Sequence, residues 1–222
     1  MDWDLAIKRN SEALKGIVAE LFAMLGLAGE ATVERIPQPL HSAVLRVLRP
    51  AESAMRRLII IAARGLVVKL APSRPKPVGP IGKGGGSRPP SFQLFDTRKN
   101  FAELRQHRRK FRRNPPRIHF YPYDTLRPPV ADPVSPPDGL VGAERLTRRL
   151  QALKLALEDL PRQARRLARW RVRRDNMPSP KFKSPLRPGP PPGHRRKPVH
   201  LVEEVLAECH WLAWDAMKPD TS

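Results

Sequence analysis

The clearest chemistry in this chain lies in one arginine-rich stretch, "PRQARRLARWRVRR", residues 161–174, which holds seven arginines in fourteen positions and no acid. Arg162, Arg165, Arg166, Arg169 and Arg173 follow the spacing i, i+3, i+4, i+7, i+11. On a helix they fall within an arc of about 100°, with Ala164, Leu167 and Ala168 opposite. A guanidinium is a planar fork of N–H donors that matches two oxygens of a phosphate. The same spacing is unfavourable for the isolated helix. Arg162–Arg166, Arg165–Arg169 and Arg169–Arg173 are like-charged i, i+4 pairs, each destabilising by about 0.2–0.5 kcal/mol. A face that meets only water usually mixes signs, as "GAERLTRRLQALKLALED" does just upstream. The five-arginine face therefore reads as a surface for a polyanion.

A second basic stretch contains Arg105, Arg108, Arg109, Arg112 and Arg113, close to "IHFYPY". There Phe120, Tyr121 and Tyr123 offer flat faces that either stack on unpaired bases or pin a loop onto a helix. No helix-turn-helix, zinc-finger or RNA-binding-sheet signature accompanies them, so the expected contact is to phosphates rather than to base edges. Other chemistries fail on spacing. "GPIGKGGGS" has Gly84 where a phosphate loop needs Ser or Thr, and prolines flank it. His200, Glu203, Glu204, Cys209 and His210 are all metal-ligand types, but adjacent Cys209 and His210 diverge by about 100° on a helix and no second Cys/His pair exists. No catalytic constellation, metal or cofactor is expected.

Helices must position these groups. Leu146, Leu150, Leu153, Leu157, Leu160, Ala164 and Leu167 repeat at 4, 3, 4, 3, 4, 3, the seam of a helix packing along another helix. At Pro161 either the helix kinks or a new one starts, and the continuity of the seam favours a kinked helix over 143–174. Residues 1–70 read as a small N-terminal helical bundle: a helix over 3–28, a second over 40–49, and a third from Pro50 to about 70. Along the third and the residue before it, Arg49, Arg56, Arg57 and Arg64 share a face away from Leu58, Ile59, Ala62 and Leu66. That suits an anionic membrane interface or, without an aromatic anchor, a core helix with its arginines in water. A Pro/Gly linker spans 71–97, a basic helix and irregular aromatic segment 98–142, and a Pro-rich basic linker 175–198. An amphipathic acidic helix spans 199–217, with Glu203, Glu204 and Glu208 expected in water. Its opposite charge suggests that it docks on the 146–167 seam and controls access to the arginines.

The totals set the frame. The 222 residues carry a formal net charge of +21, with 27 prolines, 13 glycines and only 6% aromatics. Residues 98–197 hold 27 basic and 8 acidic groups, whereas residues 198–222 hold 1 and 5. Such a chain attracts nucleic acid, an anionic membrane or an acidic protein. One cysteine excludes an internal disulfide framework and fits a reducing compartment. The longest apolar run, residues 58–71, is broken by Arg64 and Lys69 and is too short to span a bilayer. A cytoplasmic location is expected. The tail "PLRPGPPPGHRRKPVHLVEEVLAECHWLAWDAMKPDTS", together with "LPRQARRLARWRVRR", resembles an uncharacterised protein group of GC-rich alphaproteobacteria. The resemblance covers roughly the last third. It implies a bacterial cytoplasmic setting and supplies no site residues.

The expectation is a mostly α-helical, non-enzymatic protein whose separate basic amphipathic helices are joined by Pro/Gly-rich, disordered linkers. It binds nucleic acid or another polyanion without sequence specificity and takes no small-molecule substrate. The alternative is a helical adaptor that meets a protein partner, a second copy through the leucine seam, or the membrane surface.

Overall fold

A computed structural model describes residues 2–27, 33–70, 90–96, 139–177, 184–187 and 189–218. The chain is mostly α-helical, with five helices and a two-stranded clip among the described residues. Helix α1, Trp3–Met24, starts where the Asp2 carboxylate accepts from the Leu5 N–H at 3.1 Å. It stops just before Gly26, whose φ of +65° suits a residue without a Cβ. Leu14, Ile17, Val18 and Leu21 recur at helical spacing and are buried.

Helix α2, Gln38–Ala62, is one element where the sequence reads as two. Pro50 removes an internal hydrogen bond. The helix nevertheless continues, because Leu48, Ala51, Ala54, Met55 and Leu58 on both sides of the proline are fully buried. It ends at Ala62 rather than near residue 70, with Gly65 at φ +67° just beyond it. α2 is the central helix and packs against all four others.

Strands β1, Arg35–Pro37, and β2, Leu140–Gly142, pair antiparallel with Ile36 opposite Val141. The sequence pattern gives no sign of strands only three residues long. They act as a clip that ties the residues before α2 to those before the next helix. Backbone bonds from Gln38 N–H to the Gly139 carbonyl and from Ala143 N–H to the Glu34 carbonyl extend it.

The expected kinked helix over 143–174 is two helices: α3, Glu144–Glu158, and α4, Leu160–Asp175. Asp159 lies between them at φ −125° and ψ 61°, and its side chain accepts from the Arg162 N–H at 3.0 Å. Pro161 occupies the first turn of α4, where its missing N–H has no intrahelical partner to lose. A capped restart is therefore less costly than a kink that leaves a carbonyl unpaired. The seam survives the break: Leu146, Leu150, Leu153, Leu157, Leu160 and Leu167 are all buried.

Helix α5, Leu201–Asp215, buries Val202, Val205, Leu206, Cys209, Leu212 and Ala213. It packs mainly on α2 and α1 rather than on the 146–167 seam. That seam is filled instead by α1 and α2, which pack on α3, and by α2, which packs on α4. Residues from all five helices form one hydrophobic core. Glu203, expected in water, is buried; its carboxylate accepts from the Val199 N–H at 2.7 Å and pairs with Arg195 at 3.2 Å.

Two stretches that read as linkers are docked in their described parts. Phe92, Leu94 and Asp96 are buried, Gln93 is exposed and Phe95 is half-buried against Trp170, so this extended strip lies along the core. In the second, Leu186 is fully buried, and Gly193 lies against the backbone of Pro50. Gly193 has φ +87°, and a Cβ there would meet the Pro50 nitrogen at 2.8 Å and its Cα at 2.9 Å. Gly193→Ala is therefore expected to destabilise the fold by about 1–3 kcal/mol in urea unfolding, from backbone strain and the forced separation of the segment from α2. A loss under about 0.5 kcal/mol would show that this contact does not matter for the fold.

Candidate polyanion-binding face

α4 sorts its seven arginines into two groups. Arg162, Arg165, Arg166, Arg169 and Arg173 are exposed, while Ala164, Leu167 and Ala168 opposite them are buried. Among the described residues no carboxylate lies within ion-pair distance of these five. Two of them are steadied by carbonyls: Arg166 Nη1 donates to the Phe92 carbonyl at 2.8 Å, and Arg165 Nε to the Pro161 carbonyl at 3.3 Å. The remaining two arginines of the stretch serve the fold. Arg171 donates to the Ala63 carbonyl at the end of α2 at 3.3 Å, and burial, then repulsion from Arg174, lowers its pKa. Arg174 lies over the Trp170 ring and pairs with Asp175.

The face has a definite reach. From Arg162 to Arg173 the helix rises about 16 Å at 1.5 Å per residue. One duplex strand presents a charge about every 3.4 Å, so about five phosphates lie within that reach.

No known protein family, no curated protein and no solved structure matches this chain. The functional reading therefore rests on the residues themselves.

The second arginine group expected to meet phosphates, Arg105, Arg108, Arg109, Arg112 and Arg113, lies outside the described residues, as do Phe120, Tyr121 and Tyr123. The α2 arginines are the main correction to the sequence reading. Arg57 is fully buried and Arg56 is 4% exposed, so these two face neither water nor a membrane, whereas Arg49 and Arg64 are exposed. Their charges meet Asp96, a residue of the presumed linker. Arg57 Nη2 lies 2.9 Å from Asp96 Oδ2, and Arg56 lies 3.7 Å from Oδ1. Asp96 also accepts from the Arg187 N–H at 3.3 Å. Glu52 completes the cluster, bound through both oxygens by Arg149 at 2.8 and 2.9 Å. Burial pushes the Arg56 pKa down, and Glu52 and Asp96 oppose that shift.

His210 belongs to the same network: its Nδ1 accepts from Arg57 Nε at 3.0 Å. Burial, then the Arg57 and His194 charges, holds its pKa below the usual histidine value. The unfolded chain therefore binds this proton more readily than the folded one. The stability His210 contributes is present above about pH 6.5 and is lost as pH falls below it. Between pH 7 and pH 5 the unfolding free energy is expected to fall more steeply for the parent chain than for His210→Gln. Equal slopes would contradict this bond. The neighbouring Cys209 thiol is pushed up to about 12, chiefly by burial and then by Glu208. It is a small core group rather than a nucleophile. Among the described residues no His/Cys/Asp/Glu group has the arrangement of a metal site, and no helix is long and apolar enough to cross a membrane.

Proposed function

We propose that this protein is a non-enzymatic binder of nucleic acid in a reducing, cytoplasmic setting, and that it holds the phosphate backbone through α4 without reading sequence. The single observation that carries the proposal is the exposed face of Arg162, Arg165, Arg166, Arg169 and Arg173, with no carboxylate partner among the described residues. Among the described residues these five charges enter no ion pair, and Ala164, Leu167 and Ala168 behind them hold the helix in the core. Like charges placed so close are unfavourable until an anion arrives.

A second reading, docking of a protein partner, draws on Trp211 and Trp214 of α5, which are 59% and 40% exposed. Paired exposed tryptophans are common anchors of interfaces. The leucine seam cannot serve that purpose without opening the core.

Labelled duplexes of two unrelated sequences, titrated with the full chain, separate the readings. Backbone binding predicts affinities within about threefold of each other that weaken steeply with salt. Sequence-selective binding, or association that barely responds to salt, would contradict the proposal.

A further inference from the structure

A cavity of about 530 Å³ opens between α2, α3, the 90–93 strip and Pro192. α2 contributes Arg49, Glu52, Ser53 and Arg56 at i, i+3, i+4 and i+7, which places all four on one side of the helix. α3 contributes Arg148 and Arg149. Four guanidinium groups thus line a cavity with one carboxylate, a balance of +3. Both Glu52 oxygens are already engaged by Arg149, and Oε2 also takes Arg56 at 3.4 Å. The acid orients two arginines and cannot neutralise the others. Arg49 and Arg148 are exposed at the cavity and have no carboxylate partner among the described residues.

The fourth α2 residue supplies an independent observation. Ser53 is fully buried, yet its hydroxyl has no hydrogen-bond partner, the sole such side-chain atom among the described residues. A buried hydroxyl without a partner is unfavourable and is rare in folded proteins. Ser53 is a wall residue of the basic cavity, and a turn of its hydroxyl toward that cavity would let an anion's oxygen accept from it. Removing the hydroxyl leaves no donor orphaned, so Ser53→Ala is a mild change for the fold.

We propose that this cavity binds a terminal phosphate group. Arginine forks match its paired oxygens, and the cavity is of the size that holds small ligands. It lies beside the α4 face, because Arg166 donates to the carbonyl of Phe92, whose residue also lines the cavity. The phosphate belongs either to a free small molecule or to the end of a nucleic acid strand. The site stands on its own residues and does not rest on the α4 reading.

Isothermal titration calorimetry of the full chain with inorganic phosphate tests it. Saturable one-site binding is expected, weakened at least tenfold by Arg49→Gln with Arg148→Gln, two exposed positions whose change leaves the core intact. Ser53→Ala is expected to weaken binding about threefold while its thermal midpoint without phosphate is unchanged or raised. The α4 variant with Arg162, Arg165, Arg169 and Arg173 changed to Gln, which keeps the Arg166–Phe92 bond, should bind phosphate as the parent does, which separates this site from the proposed nucleic-acid face. Displacement of phosphate by a 5′-phosphorylated hexanucleotide, but not by its 5′-hydroxyl form, would assign the strand end. Displacement by neither would assign a small phosphate compound. The absence of saturable binding, or equal binding by the Arg49→Gln/Arg148→Gln chain, would overturn the proposal.

Discussion

Asp96→Asn is expected to cost about 3–5 kcal/mol of folding stability, the penalty for leaving a buried charge without its counterion. Asp96 has no exposed side-chain surface, and it faces two arginines that are themselves buried. Its neutral amide would keep the volume and lose the charge that makes burial of Arg57 tolerable. Against a total stability of about 5–15 kcal/mol for a folded domain, this is a large fraction. Urea unfolding followed by far-UV circular dichroism measures it; a cost under about 1 kcal/mol would show that Glu52 and water already compensate the arginines. A triple change, Arg56→Met, Arg57→Met and Asp96→Leu, is expected to be more stable than Asp96→Asn alone. Replacing a buried ionic group whole by apolar residues removes the desolvation penalty with the pairing. The contrast separates the pairing from mere crowding.

The same cluster marks where the sequence stopped being legible. The amphipathic periods of α1, α5 and the leucine seam were readable because a core-facing stripe repeats every three or four residues wherever a helix buries one side. The split of the α4 arginines was readable for the same reason: the five that share an arc are exposed, and Arg171 and Arg174, outside it, serve the fold. Arg56 and Arg57 were misplaced because helical periodicity reports which residues share a side and not what covers that side. Their cover comes from Asp96, 39 positions after Arg57, in a stretch whose prolines and glycines resemble a linker. The signal that was present is the cluster of Phe92, Leu94 and Phe95, apolar residues too many for a stretch that stays in water. Heptad register could not choose between a kink and a restart at Pro161, because a capped new helix preserves it as well as a kink does; the Asp159 side-chain cap is the deciding detail. The β1–β2 clip is too short to leave a period at all.

The second large effect concerns the face itself. With about five phosphates engaged, the affinity for duplex DNA should fall with a log–log salt slope of about −4.5, or about 500-fold between 50 and 200 mM salt. For a single strand the slope should be about −3.5. Changing Arg162, Arg165, Arg166, Arg169 and Arg173 to Gln removes the charges and three unfavourable i, i+4 pairs. Loss of the Arg166 bond to the Phe92 carbonyl offsets that relief, so the variant is expected to fold within about 1 kcal/mol of the parent. Its affinity at 50 mM salt should drop by at least a hundredfold, while Arg171→Gln alone should change stability more than binding, since Arg171 holds the end of α2.

The most direct measurement is the salt dependence of fluorescence anisotropy for one labelled duplex, titrated with the parent chain and with the five-Gln chain at matched helicity. A parent slope of −4 or steeper that collapses toward zero in the variant is the result expected if α4 grips phosphate. A variant whose slope and affinity stay within twofold of the parent's would contradict it, and the arginines of α4 would then serve only to keep a helix in water.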